Sequence, residues 1–276
     1  MRQLSFAKGH GAKNDFVIVL DRHGVSPLSE EDVRFVCDRH VGVGGDGLLR
    51  VIKAAHVCGW DGDPHLWFMD YRNADGSLAE MCGNGLRVFA RFLQEEDLIA
   101  ENTITIATRA GARQVVLRGD GLIQVEMGPA RISPEEASVS VSGETRPAVA
   151  VNVGNPHAVT FVDGATLAGL DLRSAPGVGP ADLFPDGTNV EFVHVLGEHD
   201  IAMRVHERGV GETMACGTGM VAAVAAVDAR NGAAGGAYTV RVPGGVLTVE
   251  LGNGLAWLTG PAVIVARGEV TLPDRR

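Results

Sequence analysis

Two cysteines open glycine-flanked tetrads in this 276-residue chain, Cys82-Gly83-Asn84-Gly85 and Cys216-Gly217-Thr218-Gly219. Each tetrad stands at the head of a segment with helical character, LRVFARFLQEE after the first and MVAAVAAVDAR after the second. Glycines around a short polar residue at a helix start let the backbone present its amide N–H groups, and the helix dipole adds partial positive charge there. A carboxylate binds well in such a place. The same field favours thiolate over thiol, so each cysteine is expected below the free thiol pKa of ~8.5. One tetrad could be tight packing at a loop-to-helix junction; two in equivalent places argue for chemistry. The reaction such a pair suits is inversion of a stereocentre without a cofactor. A thiolate takes a proton from one face of a carbon and a thiol returns one to the other face. Amides at the helix starts would stabilise charge developing on a substrate carboxylate. The other two cysteines read as structural: Cys37 lies inside the helical segment VRFVCDRH and Cys58 in a loop beside Gly59-Trp60. Four scattered cysteines make no disulfide framework, and without a CxxC pair they suggest no zinc site.

The elements that must position these groups are mostly short strands. Apolar or alternating runs occur at 16–20, 66–71, 103–108, 113–118 and 121–127, and again at 148–153, 157–162, 189–196, 200–207, 237–242, 246–251, 255–259 and 262–267. Glycine, 37 residues in all, punctuates them. Three helices are expected. Ser29-Glu30-Glu31-Asp32 opens the first like a capping box and carries it to about Arg39. The tetrads open the other two. The helix after Cys216 is apolar around its whole circumference as far as Val227, so protein should surround it, and strands wrapped around it would do so.

The halves repeat. MCGNGLRVFA at 81–90 aligns with ACGTGMVAAV at 215–224, and GDGLIQVEMGPA at 119–130 with GNGLAWLTGPA at 252–262. Cys82 precedes Gly128 by 46 residues and Cys216 precedes Gly260 by 44. A further echo pairs GAKNDFVIV at 11–19 with GNPHAVTFV at 154–162. The expected architecture is therefore α+β, two pseudo-symmetric domains, each a barrel-like sheet around a central helix. Residues 1–126 would form the first and 127–262 the second.

Composition narrows the partners. With 24 Lys and Arg against 34 Asp and Glu, a formal charge of −10 and no basic run, a nucleic-acid backbone or anionic membrane is not the expected partner. No apolar stretch approaches the ~18 residues of a membrane span, and MRQLSFAKGH lacks the apolar run of a secretory signal. A cytoplasmic protein acting on a small molecule is expected. Gly42, Gly44 and Gly47 satisfy the dinucleotide fingerprint GxGxxG, but they follow a helix and precede the apolar run LLRVI, the reverse of its required context.

Seven segments, in order, make the resemblance specific: KGHGAKNDFVIV (8–19), GVGGDGLL (42–49), YRNADGS (71–77), EMCGNGLRVFAR (80–91), VGNPHAV (153–159), TNVEFV (188–193) and HERGVGETMACGTG (206–219). Across essentially its whole length the chain resembles the diaminopimelate epimerase family. The resemblance implies an epimerase that interconverts LL- and meso-diaminopimelate on the route to lysine and peptidoglycan, with neither pyridoxal phosphate nor metal. It also implies that residues 263–276 return to the first domain and that the active site lies in the cleft between the two, and a homodimer is compatible with it. By position, Cys82 and Cys216 match the catalytic pair, and Gly83, Asn84, Gly217 and Thr218 the helix-start clamps. Asn14, Asn73, Asn155, Asn189, Glu207 and Arg208 match substrate-binding positions. His157 and Glu207 match residues that adjust the thiols' pKa values. A substrate with two amino-acid ends needs neutral amides, a guanidinium for a carboxylate and a carboxylate for an ammonium, so the set is chemically coherent. Asn14, Asn73 and Asn189 also suit turns. The chain departs from the pattern at Gly47, where many relatives carry Gln, and at 71–77, which is shorter than in some relatives.

Two other readings compete. A proline or hydroxyproline racemase, or a phenazine-type isomerase, would share the duplicated fold, although proline racemases usually carry His where Asn84 stands. A thiol redox switch would use Cys82 and Cys216 as a reversible disulfide.

Overall fold

The computed structural model describes residues 2–273. They fall into two compact units, Met1–Val125 with Pro261–Arg276, and Glu126–Gly260.

In the first unit the chain runs β1 (Arg2–Gly11), β2 (Asn14–Leu20), α1 (Glu30–Cys37), β3 (Gly47–Lys53), β4 (Trp67–Asn73), α2 (Gly83–Glu95), β5 (Thr103–Thr108), β6 (Gly111–Leu117) and β7 (Ile123–Gly128). In the second come β8 (Arg131–Val141), β9 (Glu144–Asn152), β10 (Pro156–Phe161), α3 (Gly164–Gly169), β11 (Gly177–Gly179), β12 (Asn189–Gly197), β13 (Asp200–Glu207) and β14 (Gly211–Thr213). It ends with α4 (Gly217–Arg230), β15 (Gly236–Val242), β16 (Gly245–Gly252) and β17 (Leu255–Gly260), and β18 (Val263–Leu272) then pairs with β1.

Register shows how closely the units correspond. The first ladder is β18-β1-β2-β3-β4-β5-β6-β7, in which β2–β3 and β4–β5 are parallel and the other five pairs antiparallel. The second ladder is β8-β9-β10-β12-β13-β15-β16-β17, with β10–β12 and β13–β15 parallel and the others antiparallel. The same order of orientations occurs twice, as the sequence repeat requires. Short β11 and β14 are additions, paired to β8 and β13.

Each ladder surrounds a helix. α4 packs against all eight strands of its ladder and is buried at Gly217 and from Gly219 through Asp228, which accounts for a sequence with no polar face. α2 packs against β1, β2, β3, β4, β6 and β18. It is amphipathic, yet it carries Arg87 into the interior with no exposed surface. α1 lies outside and begins as a capping box: Asp32 N–H donates to Ser29 Oγ at 3.1 Å and Ser29 N–H to Asp32 Oδ2 at 2.9 Å. Its apolar face, Val33, Val36 and Cys37, joins Leu4, Val17, Val19, Leu48 and Leu272 in one cluster. Among the described residues no helix is long and apolar enough to cross a membrane.

The GxGxxG glycines end α1 and lead into β3. Val43 and Gly44 N–H both donate to Val36 O at 3.0 Å, and a Cβ on Gly42 would stand 1.9 Å from Phe35 O. Close backbone packing, with no helix following, explains them.

Candidate active site

In the first unit Cys82 is the N-cap of α2, held in extended backbone conformation, and its Sγ accepts the Gly85 N–H at 3.4 Å. Asn14, the first residue of β2, faces it: the thiol donates to Asn14 Oδ1 at 3.7 Å, and Asn84 Nδ2 donates to the same oxygen at 3.2 Å. Asn14 Nδ2 is turned the other way, to Asp46 Oδ2 at 2.8 Å. Beneath them lies Arg87. Its guanidinium donates to Asn84 Oδ1 at 2.9 Å, to Gly83 O and to Pro261 O. Burial lowers the Arg87 pKa to about 10, while the nearby Cys82 thiolate would favour the charged form. A cation is thus sealed beneath the cysteine. Asn73 ends β4 opposite Gly47, and its side chain donates to Ser77 Oγ at 3.0 Å inside the 73–77 turn.

In the second unit Cys216 is the N-cap of α4, with Met220 N–H bonding its carbonyl at 3.0 Å. The amides of Gly217 and Thr218 therefore precede the first helical bond and have no partner within the helix. The thiol lies 3.5 Å from Thr218 Oγ1, and Glu207, the last residue of β13, acts on it electrostatically. Glu207 also accepts from Thr213 Oγ1 across the β13–β14 hairpin. Glu191 of β12 approaches from another side, where a Cβ on Gly219 would meet Glu191 Oε1 at 2.7 Å and Cys216 Sγ at 3.4 Å. His157 of β10 holds Glu191 Oε1 through Nδ1 at 2.7 Å and Asn155 Oδ1 through Nε2 at 3.0 Å. Asn189 begins β12 and accepts the Arg208 N–H at 2.9 Å, while the Arg208 guanidinium donates to Asp186 O at 2.9 Å. Asn189 thus shapes the turn that presents Arg208, which is exposed.

Electrostatics on this side correct the expectation drawn from the helix dipole. Burial pushes the Cys216 thiol well above its ordinary pKa, and Glu207 and Glu191 push it further; the Thr218 hydroxyl only partly offsets them. Burial likewise raises Glu207, against the Thr213 hydrogen bond and the Cys216 thiol, and raises Glu191, against His157. The helix start supplies a fraction of a charge, whereas desolvation in an apolar surround acts on the whole thiolate.

Of the residues singled out in the sequence, Asn14, Cys82, Gly83 and Asn84 come together in the first unit. Asn155, His157, Glu207, Cys216, Gly217 and Thr218 do so in the second, with Asn189 and Arg208 forming a separate contact. Asn73 contacts its own turn. Two buried charges escaped the sequence reading, Arg87 and Glu191. Arg87 could have been found as a cation on the helix face that also carries Gly83 and Ala90. Glu191 stands between apolar residues in TNVEFV, where only an expectation of full burial would have flagged it. Cys37 is buried, and desolvation pushes its pKa up to about 12; Cys58 is exposed. Among the described residues no three His, Cys, Asp or Glu side chains are grouped to hold a metal ion.

A strand ladder around a cysteine-capped helix occurs twice in this chain, and solved structures of racemase, epimerase and phenazine-biosynthesis proteins have the same fold. A solved hydroxyproline epimerase from Agrobacterium vitis, with bound trans-4-OH-L-proline, shares it at a TM-score of 0.71 over 98% of this chain and 91% of that one, with 15% sequence identity. Sequence supplies the family. The diaminopimelate epimerase profile matches residues 6–133 and again 149–272. The diaminopimelate epimerase of Streptomyces coelicolor is 50% identical over 97% of this chain and 95% of its own length. That of Thermobifida fusca is 48% identical over 99% and 100%. The chain belongs to the diaminopimelate epimerase family, and it is an isomerase.

Proposed function

We propose that this protein interconverts LL- and meso-diaminopimelate by proton transfer between the substrate α-carbon and two cysteines, with no cofactor or metal. The observation that carries the reading is the twofold occurrence of a cysteine at the start of an enclosed helix, in a chain of this family. One cysteine as thiolate abstracts the α-proton and the other as thiol protonates the opposite face; the reverse reaction exchanges their roles. Negative charge that develops on the α-carboxylate falls to the helix-start amides of Gly83, Asn84, Gly217 and Thr218. Asn14, Asn73, Asn155, Asn189 and Arg208 are the proposed donors to the remaining polar groups, and Glu207 the partner of an ammonium. His157 and Glu207 adjust the proton affinities of the two thiols. A homodimer in the cytoplasm completes the reading, and light scattering and cell fractionation test those two parts.

The test is deuterium incorporation at the α-carbon of LL-diaminopimelate in heavy water. The native protein should incorporate deuterium and form the meso isomer, in the presence of a chelator as in its absence. Cys82→Ala and Cys216→Ala should each lose roughly 1000-fold or more in interconversion, at the upper end of what a positioned acid or base contributes. Native protein that gives no exchange, or either variant with near-native turnover, would overturn the proposal.

A further inference from the structure

Glu191 is fully buried at 0% exposure, and its Oε2 has no hydrogen-bond partner among the described residues. A carboxyl so placed is costly to keep unless it does something specific. Its other oxygen meets His157, also fully buried, whose second ring nitrogen meets Asn155 Oδ1. Both ring nitrogens therefore face oxygen atoms.

With the Asn155 carbonyl facing Nε2, that nitrogen carries a proton, and two arrangements satisfy both contacts. Either the imidazole is doubly protonated against a Glu191 carboxylate, or it is neutral with Nε2–H and accepts at Nδ1 from a protonated Glu191. The pair holds two protons and no net charge in both cases, and in both Nε2–H points at Asn155. The Asn155 carbonyl faces inward, which leaves its NH2 outward. No described residue takes up that NH2, and Asn155 is half-buried at the edge of the cluster.

We propose that Glu191 is a positioning residue: acting through His157, it locks the Asn155 amide so that its NH2, and not its carbonyl, faces a substrate carboxylate. The inference rests on the assignment of Asn155 as a substrate contact. Without Glu191 the ring can take the Nδ1–H tautomer, its Nε2 becomes an acceptor, and the amide turns over to present its oxygen to an anion. Gly219 keeps the space open, since a Cβ there would press on Glu191 Oε1 at 2.7 Å.

Two variants and two readouts test the chain. Gln in place of Glu191 has the same shape and can donate its own NH2 to Nδ1, so Glu191→Gln should keep Nε2–H. Glu191→Leu cannot donate. Nitrogen-15 NMR of labelled histidine, with His157 assigned by its replacement with Gln, should show Nε2–H in the native protein and in Glu191→Gln. In steady-state kinetics Glu191→Leu should raise KM for diaminopimelate roughly 10-fold to 100-fold, the range of a lost hydrogen bond to a charged group, with a smaller change in kcat. Glu191→Gln should hold KM within about threefold of native. The proposal is overturned if Glu191→Gln shows the Nδ1–H tautomer, if it loses as much as Glu191→Leu, or if Glu191→Leu leaves KM unchanged. Should Glu191→Leu fail to fold, the Gln variant decides alone. Native protein inactive on diaminopimelate would sink the proposed reaction, while the NMR arm would still judge the chain of three residues.

Discussion

Cys82 and Cys216 occupy the same place on related helices and have different surroundings. Near Cys82 stand two amides and the buried Arg87 guanidinium; near Cys216 stand Glu207 and Glu191. In the repeat, GAKNDFVIV against GNPHAVTFV, Asn14 aligns with His157, so a neutral amide on one side answers to the histidine of a carboxyl-linked pair on the other. A negative neighbour disfavours thiolate, so neutralising Glu207 should lower the Cys216 pKa and bring its thiolate in at lower pH. The check is ultraviolet thiolate absorbance against pH, taken as the difference between native protein and Cys216→Ser, then repeated in a Glu207→Gln background. A midpoint that stays put or rises would contradict the charge assignment. In the same titration buried Cys37, pushed up to about 12 by desolvation, should remain a thiol at pH 10.

At the scale of elements the two CGxG starts differ in what their last glycine must avoid. A Cβ on Gly85 would meet Cys82 Cβ, Leu49 Cδ2 and Phe16 Cζ at 3.4–3.5 Å, ordinary contact, whereas one on Gly219 would stand 2.7 Å from the Glu191 carboxyl. Gly85→Ala should therefore leave stability within about 1 kcal/mol of native, with helix propensity in its favour. Gly219→Ala should cost about 1–3 kcal/mol, as overpacking does. Urea titration of both variants measures the contrast; equal costs would refute it.

The same elements show what the sequence could disclose. Gly217–Arg230 was legible as an enclosed helix because no face of it is polar, and the hairpin strands of each half because Gly separates short alternating runs. β1 and β8 were not. RQLSFAKGHG alternates its few apolar residues with charge, and RISPEEASVSV carries Pro134 and two glutamates on a largely exposed strand. α3 has only six residues. Glu191 was hidden for a different reason. The first five residues of β12, Asn189–Val193, are all buried, so the alternation that sorts inward from outward side chains is absent there and its one carboxylate gives no sign of direction. The dipole argument for Cys216 failed because a sequence shows a helix start and not the depth at which it is buried.

For the whole molecule the telling feature is that the first unit is completed by the end of the chain. β18 covers the free edge of β1 from Arg2–Leu272 to His10–Val263, and Leu272 enters the cluster that holds α1. The residues leading into β18 also reach the central helix. Pro261 O accepts from Arg87 Nε at 3.4 Å, Ala262 O accepts from Arg91 Nε at 3.2 Å, and Arg267 pairs with Glu95 and Glu96. Truncation after Gly260 would expose the β1 edge and remove one of the acceptors of a guanidinium that has no access to water. Losing one hydrogen bond to a buried charged group costs about 1.5–3 kcal/mol, and the lost β1–β18 ladder adds to it, against a stability of about 5–15 kcal/mol. The first unit should therefore open while the second keeps its ladder. Hydrogen exchange followed by mass spectrometry should show protection lost first in β1, β2 and α2 of the truncated chain, and retained in β12, β13 and α4. Loss confined to the second unit, or spread evenly over both, would mean that β18 is an appendage, and that the Arg87 side of the first helix start is held by other contacts.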